Sequence, residues 1–233
     1  MPLHRGNQKR IYFEGAIYFA TNHTKDWFRF FNEPIFCEVF MANLKLCKIM
    51  KKFKLYAFVI LLHHFHLLFL PENPKDLSKI MQFLKRNISR DINFVISHAP
   101  EVAIHESLLR EGEEMFSQLR GRLLLGKTSI IKNRREFNKN LKQKYKKYEK
   151  LLEDHYRFLL ELKKQFILKY GENQNVFPKF HWEKSFHDHY IRNSKDFDEH
   201  VKYIYNNPVK HKIPDPENYK YVFTKYPELV DEI

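Results

Sequence analysis

Residues 61–71 read LLHHFHLLFLP, an apolar, strand-like run carrying two histidines around one bulky apolar residue. On a strand successive side chains alternate faces, so His64 and His66 point to one side and Phe65 to the other. A histidine pair on one strand face is half of a divalent-metal site. Taken alone, it is more commonly the pattern of two partly buried histidines with ordinary hydrogen-bond partners. A second stretch far downstream, YIYNNPVKH at residues 203–211, separates the two readings.

Working outward, residues 54–61 read as a strand joined closely to the histidine strand (64–70) as a hairpin. Before it, residues 34–53 place Phe36, Val39, Phe40, Leu44 and Cys47 at three-to-four spacing, an amphipathic helix. Earlier still, residues 11–21 (IYFEGAIYFAT) are rich in β-branched and aromatic types and predict the first strand. After the breaks at Pro71, Asn73 and Pro74, helical spacing resumes over 76–96 through Leu77, Ile80, Met81 and Leu84. The order strand, helix, strand, strand, helix is the ferredoxin-like pattern with its last strand missing. That strand is delayed to residues 180–192. Residues 103–170 intervene with helical spacing and heavy charge: two or more helices, the second long (about 133–169) and ended by Gly171. Ser194 or Asp196 is expected to cap a final helix that runs to about Asn207, where Pro208 stops it. Residues 215–233 look irregular, with one short turn.

With 43% hydrophobic and 16% aromatic residues among 233, the chain can bury a real core. Six glycines and no GxxxxGK or GxGxxG string argue against a glycine-rich phosphate loop. The net charge of +13 favours a polyanionic partner through phosphate neutralisation and counterion release. Two cysteines, Cys37 and Cys47, give no disulfide framework and no CxxC knuckle, which fits a reducing cytosol. The N-terminus lacks a signal-peptide core and the most apolar run, 55–70, is too short to span a bilayer. The expectation is a cytoplasmic protein with no membrane partner.

On the final helix Tyr203 and Asn207 stand at i and i+4 and share a face, with His200 beside them, while Tyr205 points away. If this face packs over the histidine strand, the site holds two imidazoles, one amide oxygen and one phenol. That mixed N/O set suits Mg2+ or Mn2+ with water and phosphate completing the shell. A phenol of pKa about 10 is a poor nucleophile at neutral pH. A metal that polarises a scissile phosphate offsets this, and the product is a covalent phosphotyrosine that conserves the bond for rejoining. Lys85, Arg86, Arg90 and Arg192 are candidate phosphate contacts. His187 and His189 share a face and read as DNA-facing or structural.

The segments HHFHLLFLP and FHDHYIRNSKDFDEHVKYIYNNPVKH closely resemble the REP-associated tyrosine transposases, a branch of the HUH single-strand endonucleases. The resemblance is loose over residues 11–97 and close over 180–213. It implies that His64 and His66 bind the metal, that Tyr203 attacks DNA, and that Asn207 is the third ligand. It implies an α+β fold, a ferredoxin-like antiparallel sheet with helices on one face (the HUH fold). The domain would comprise residues 1–100 and 176–214, with a helical insertion at 101–175 and a tail at 215–233. The partner implied is single-stranded or hairpin DNA, cut and rejoined by a monomer or homodimer. Relatives usually carry a proline and a polar residue where this chain has Leu62 and His63. His63 is set aside as a ligand because it would occupy the opposite strand face. Two other readings are a non-catalytic, domesticated nucleic-acid-binding protein and a replication-initiator or relaxase-type nickase.

Overall fold

The structure is a computed structural model that describes residues 12–97, 134–171 and 176–232. Its main elements are β1 (Tyr18–His23), α1 (Pro34–Lys51), β2 (Phe53–Leu61), β3 (His64–Pro71), α2 (Leu77–Ile96), α3 (Arg134–Tyr170), β4 (His187–Tyr190) and α4 (Ser194–Lys210). The helices expected between 103 and 133 lie outside the described residues. Two compact units share the chain, one of residues 1–89 and 180–233, the other of residues 90–179.

In the first unit the strands form an antiparallel sheet in the order β2-β3-β1-β4. Strands β1 and β2 both run antiparallel to β3, so they are parallel to each other and no tight turn can join them. Helix α1 makes that crossover. Its start is set by Pro34 at the first helical position and by the Glu33 carboxylate, which accepts the Ile35 N–H at 3.2 Å. Its end is set by Lys52 in the left-handed conformation (φ 50°). This is the ferredoxin-like order, and the fold is α+β as the sequence implied.

Strand β3 is bonded on both edges and buried on both faces. Phe65 faces α1, its ring centre 4.9 Å from that of Phe40. Helix α2 covers the same face, since Cys47 Sγ reaches Ile80 O at 3.8 Å and Lys85 reaches Asn22, which is paired with Phe65. Helix α4 lies across the opposite face, where Phe197 and Ile204 close a cluster with Ala57, Val59, Leu61 and Leu68. The sequence required this if the tyrosine helix was to meet the histidines.

Several boundaries differ from expectation. Strand β1 begins at Tyr18, because residues 13–16 turn through Gly15 at φ 70°. Strand β4 is only four residues long. Ahead of it, Phe180 is buried against Phe30 and Trp182, and Trp182 Nε1 donates to Lys85 O at 3.0 Å, so residues 180–182 fill space behind the sheet. The cap of α4 is Asn193, whose Oδ1 accepts the Asp196 N–H at 2.9 Å. Pro208 lies inside α4, within the last turn, where its missing N–H forfeits one bond and the helix still closes through His211 N–H to Asn207 O at 2.9 Å.

The second unit is built on α3, which ends at Gly171 (φ 69°). Its Leu152, Leu159, Leu162 and Phe166 are buried, as are Ile92 and Val95. His155 Nε2 meets the buried Asp91 carboxylate at 2.9 Å, and Arg90 Nε donates to the other oxygen at 2.6 Å.

The tail is ordered along the outer edge of β2. Ile60 N–H donates to Tyr221 O at 3.0 Å, Tyr219 OH to Ile60 O at 2.6 Å, and Asp231 N–H to Leu55 O at 2.7 Å. Asp231 also accepts the Leu55 N–H at 2.8 Å and pairs with Lys48 at 2.7 Å. Edge strands left open recruit other chains, and here the tail fills that role. Deleting residues 215–233 is therefore expected to lower stability by at least about 2 kcal/mol, from several bonds of about 1 kcal/mol net each. It should also promote self-association. Urea unfolding and light scattering check both; an unchanged midpoint and monomeric scattering would contradict the edge role.

Candidate active site

The face of the sheet beneath α4 is lined by alternate residues of three strands. His66 of β3 stands opposite Thr21 of β1, and His64 stands opposite His23. The Thr21 hydroxyl lies 2.6 Å from His66 Nδ1. In the tautomer with the proton on Nδ1, the ring is fixed in orientation and its Nε2 lone pair turns outward.

Helix α4 delivers a second row. His200, Tyr203, Asn207 and His211 recur at three- and four-residue spacing and so form one stripe. The stripe follows the sheet: His200 is 4.7 Å from Phe19, Tyr203 is 5.2 Å from His66, and His211 is 4.9 Å from His64 (ring centres). Asn207 sits between the last two contacts and is fully buried. Its Nδ2 donates to Tyr203 O one turn back at 2.6 Å, which aims Oδ1 away from the helix backbone.

Among the described residues three buried atoms of this group lack a hydrogen-bond partner: His64 Nδ1, His66 Nε2 and Asn207 Oδ1. Leaving such atoms unmatched is costly in a folded interior, so the group is organised for something it does not itself contain. Two imidazole nitrogens and an amide oxygen fit a hard-to-borderline divalent cation that keeps open positions.

Burial, reinforced by neighbouring His66, His63 and His211, pushes His64 down to about 2; burial, His211 and His23 push His66 down to about 3. Both rings are therefore neutral near pH 7 and keep a lone pair that could bind a cation. Tyr203 is partly exposed at 39%, with Lys210 Nζ 4.8 Å from its ring centre. Tyr205 is 56% exposed and stands off the stripe.

The sequence reading set His63 aside for its strand face. In the structure His63 belongs to the hairpin turn, and its ring lies 4.7 Å from that of His64. Thr21 and His211 were not singled out in the sequence. The spacing 203–207–211 carried the signal for His211, whereas Thr21 depends on strand pairing.

A further group, His189, Asp196 and His200, brings potential ligand atoms within 4.8 Å of one another. Its buried carboxylate already accepts from Arg192 N–H at 3.0 Å, Arg192 Nε at 3.2 Å and His189 Nε2 at 3.1 Å. The Arg192 backbone bond holds this carboxyl well below the usual range against the opposing effect of burial, with His189 and the guanidinium assisting. The guanidinium occupies the place of a cation, and the network pins the start of α4 to β4.

The basic residues are dispersed. Lys85 Nζ reaches Asn22 Oδ1, Glu183 O and Lys184 O at 3.3, 2.8 and 3.3 Å, which matches its three hydrogens. With Arg86 it lines a cavity of about 530 Å3 alongside Ser78, Gln82 and Trp182. Lys85 therefore works on the sheet face opposite the histidines. Arg90 is paired with Asp91 in the second unit, and Arg192 with Asp196.

On the ferredoxin-like sheet of the first unit, the histidine pair of β3 thus faces Tyr203 of α4. No family model matches the chain. A solved structure of a REP-associated tyrosine transposase bound to a REP hairpin aligns over 98% of this chain and 92% of its own, with 18% identity and a TM-score of 0.48. In sequence, the chain is similar to the REP-associated tyrosine transposase of Escherichia coli (strain K12). The identity is 49% over 51 residues, which is 22% of this chain and 27% of that protein. The matched stretch thus spans about a quarter of the curated relative.

The buried histidines also set an acid limit. Unfolded, they titrate near 6.5; folded, they stay neutral to about 3. Protons therefore favour the unfolded chain below 6.5, so their contribution is intact above that pH and lost as pH falls toward 3. The urea midpoint of metal-free protein should drop between pH 7 and pH 4, and the double variant His64→Gln/His66→Gln should flatten that drop. Equal slopes for the two proteins would assign the acid sensitivity elsewhere.

Proposed function

We propose that this protein is a metal-dependent single-stranded DNA endonuclease and strand transferase acting on hairpin-bearing DNA. The observation that carries the reading is the meeting of three unpartnered buried donor atoms, on His64, His66 and Asn207, with the exposed phenol of Tyr203. The sequence similarity to a REP-associated tyrosine transposase and the net charge of +13 support it. Among the described residues no helix is long and apolar enough to cross a membrane, which is compatible with work on DNA in the cytoplasm.

His64, His66 and Asn207 would hold Mg2+ or Mn2+, which when bound polarises the scissile phosphate and stabilises charge on it. Asn207 keeps Oδ1 available by donating its own amide hydrogen to Tyr203 O, and the same bond ties the ligand's position to that of the nucleophile. Thr21 orients His66. The Tyr203 oxygen loses its proton and attacks phosphorus; the P–O3′ bond breaks, and the leaving 3′ oxygen takes up a proton. The product is a 5′-phosphotyrosine and a free 3′-hydroxyl. Attack of a 3′-hydroxyl on that linkage reverses the step and joins strands. Lys210 places positive charge beside the ring while negative charge builds and decays there.

The test is to incubate the protein with Mn2+ or Mg2+ and single-stranded hairpin oligonucleotides taken from the DNA flanking its gene. A covalent adduct should appear on a denaturing gel. Tyr203→Phe should abolish the adduct while leaving DNA binding within about twofold; adducts that persist would shift the nucleophile to Tyr205 or another group. His66→Ala should eliminate cleavage, and undiminished cleavage in EDTA would refute the metal assignment. Stable hairpin binding without any adduct would favour a non-catalytic DNA-binding protein.

The orienting bond allows a finer check. Thr21→Val keeps the shape of the side chain but removes the hydrogen-bonding group. It should weaken Mn2+ binding about 10–100-fold in calorimetry, the usual loss for a group that positions a ligand.

A further inference from the structure

The run Lys25-Asp26-Trp27-Phe28-Arg29 follows β1 after the buried Thr24, is exposed throughout, and takes no part in the chemistry above. Trp27 is 58% exposed, one of the two tryptophans in the chain. Its backbone and that of Asp26 are left-handed, with φ of 57° and 56°. For a bulky aromatic residue that conformation is an outlier, and it persists only where the surroundings enforce it.

The enforcement is on the page. Thr24 N–H donates to His63 O and Lys25 N–H to His181 O, both at 2.8 Å, and Trp27 N–H donates to Thr24 O at 3.2 Å. The Thr24 hydroxyl lies 2.7 Å from Phe28 O and 3.0 Å from His63 O. The turn is thereby clamped to the hairpin that carries His64. The indole centre lies 4.3 Å from the His23 ring and 5.1 Å from the His63 ring. Those two rings are in turn 5.5 and 4.7 Å from His64. Trp27 is therefore one ring away from the proposed metal site, held outward at some conformational expense.

We infer that Trp27 is a stacking platform for an unpaired nucleobase of the DNA strand presented to Tyr203, with Lys25 and Arg29 at its flanks as backbone contacts. The inference rests on the proposed function and adds a place where the unpaired strand is gripped. Aromatic side chains stack on any base, and cations beside them track the phosphates. The rings recorded beside the indole are the imidazoles of His23 and His63, and Lys25 and Arg29 flank it in sequence, a setting that suits a nucleobase and its phosphates.

Tryptophan fluorescence reports on the platform directly, in EDTA so that no cleavage occurs. Three probes are used: a DNA hairpin with a short unpaired extension, the same hairpin with an abasic extension, and a blunt hairpin. The extended hairpin should quench the emission, and Trp27→Phe should bind it nearly as well by anisotropy while losing the quench. Quenching that survives in Trp27→Phe comes from Trp182 and overturns the inference.

Trp27→Gly should weaken binding of the extended hairpin about 10-fold, leave the blunt and abasic probes unchanged, and keep or raise the melting temperature because glycine tolerates the left-handed backbone. Equal losses on all three probes would mean that Trp27 serves structure only. A change in oligomeric state with DNA affinity intact would make it a protein contact, and that too overturns the inference. If the wild-type protein binds none of the probes, the proposed function falls and this inference with it. Binding without quenching removes the platform alone.

Discussion

Everything at the site depends on β3 being hydrogen-bonded along both edges and covered on both faces. A strand in that position has no freedom to slip, because a shift of one residue would send Phe65 toward α4 and both histidines into the apolar layer under α1. The cost of burying imidazoles against Phe40 and its neighbours holds the register. With the register held, His64 and His66 stand on the face that α4 crosses, and Thr21 falls opposite His66.

The same burial that fixes the histidines also keeps them uncharged, as the proposed ligand role requires. Charging a desolvated imidazole is unfavourable, and each proton is further repelled by the other histidines nearby. The rings stay neutral and keep a lone pair in play. The helix opposite contributes by a local device: Asn207 satisfies its amide hydrogen on the carbonyl four residues back, which leaves its oxygen as an unpartnered acceptor. Neither element forms the site alone. The apolar contacts of Phe197 and Ile204 with Val59, Leu61 and Leu68 hold the two together.

Much of this was legible in the chain. The period-2 run at 61–71, the three-to-four spacing of α1 and α2 and the Tyr203/Asn207 pair are local patterns that geometry translates directly. The less legible parts were those where tertiary packing overruled local preference. Residues 180–186 have strand-like composition, but Phe180 and Trp182 are worth more filling the space beside Phe30, Phe31 and Phe65. Pro208 suggested a stop, but a proline in the last helical turn gives up only one bond. The tail looked irregular because its contacts with β2 are made by backbone groups and by scattered tyrosines, which leave no periodic trace.

The sequence by itself determined which residues could do chemistry and which of them share a face, because strand and helix periods are properties of the covalent chain. Only the tertiary structure decided that the two faces meet. It also placed Lys85 across the sheet from the histidines and Arg90 in the other unit, where charge and spacing had made them equal candidates. His63 and His211 gathered around His64 for the same reason, with Trp27 one ring further out. Proximity between residues far apart in the chain is set by packing and strand pairing, which depend on the whole core at once and not on any one stretch of it.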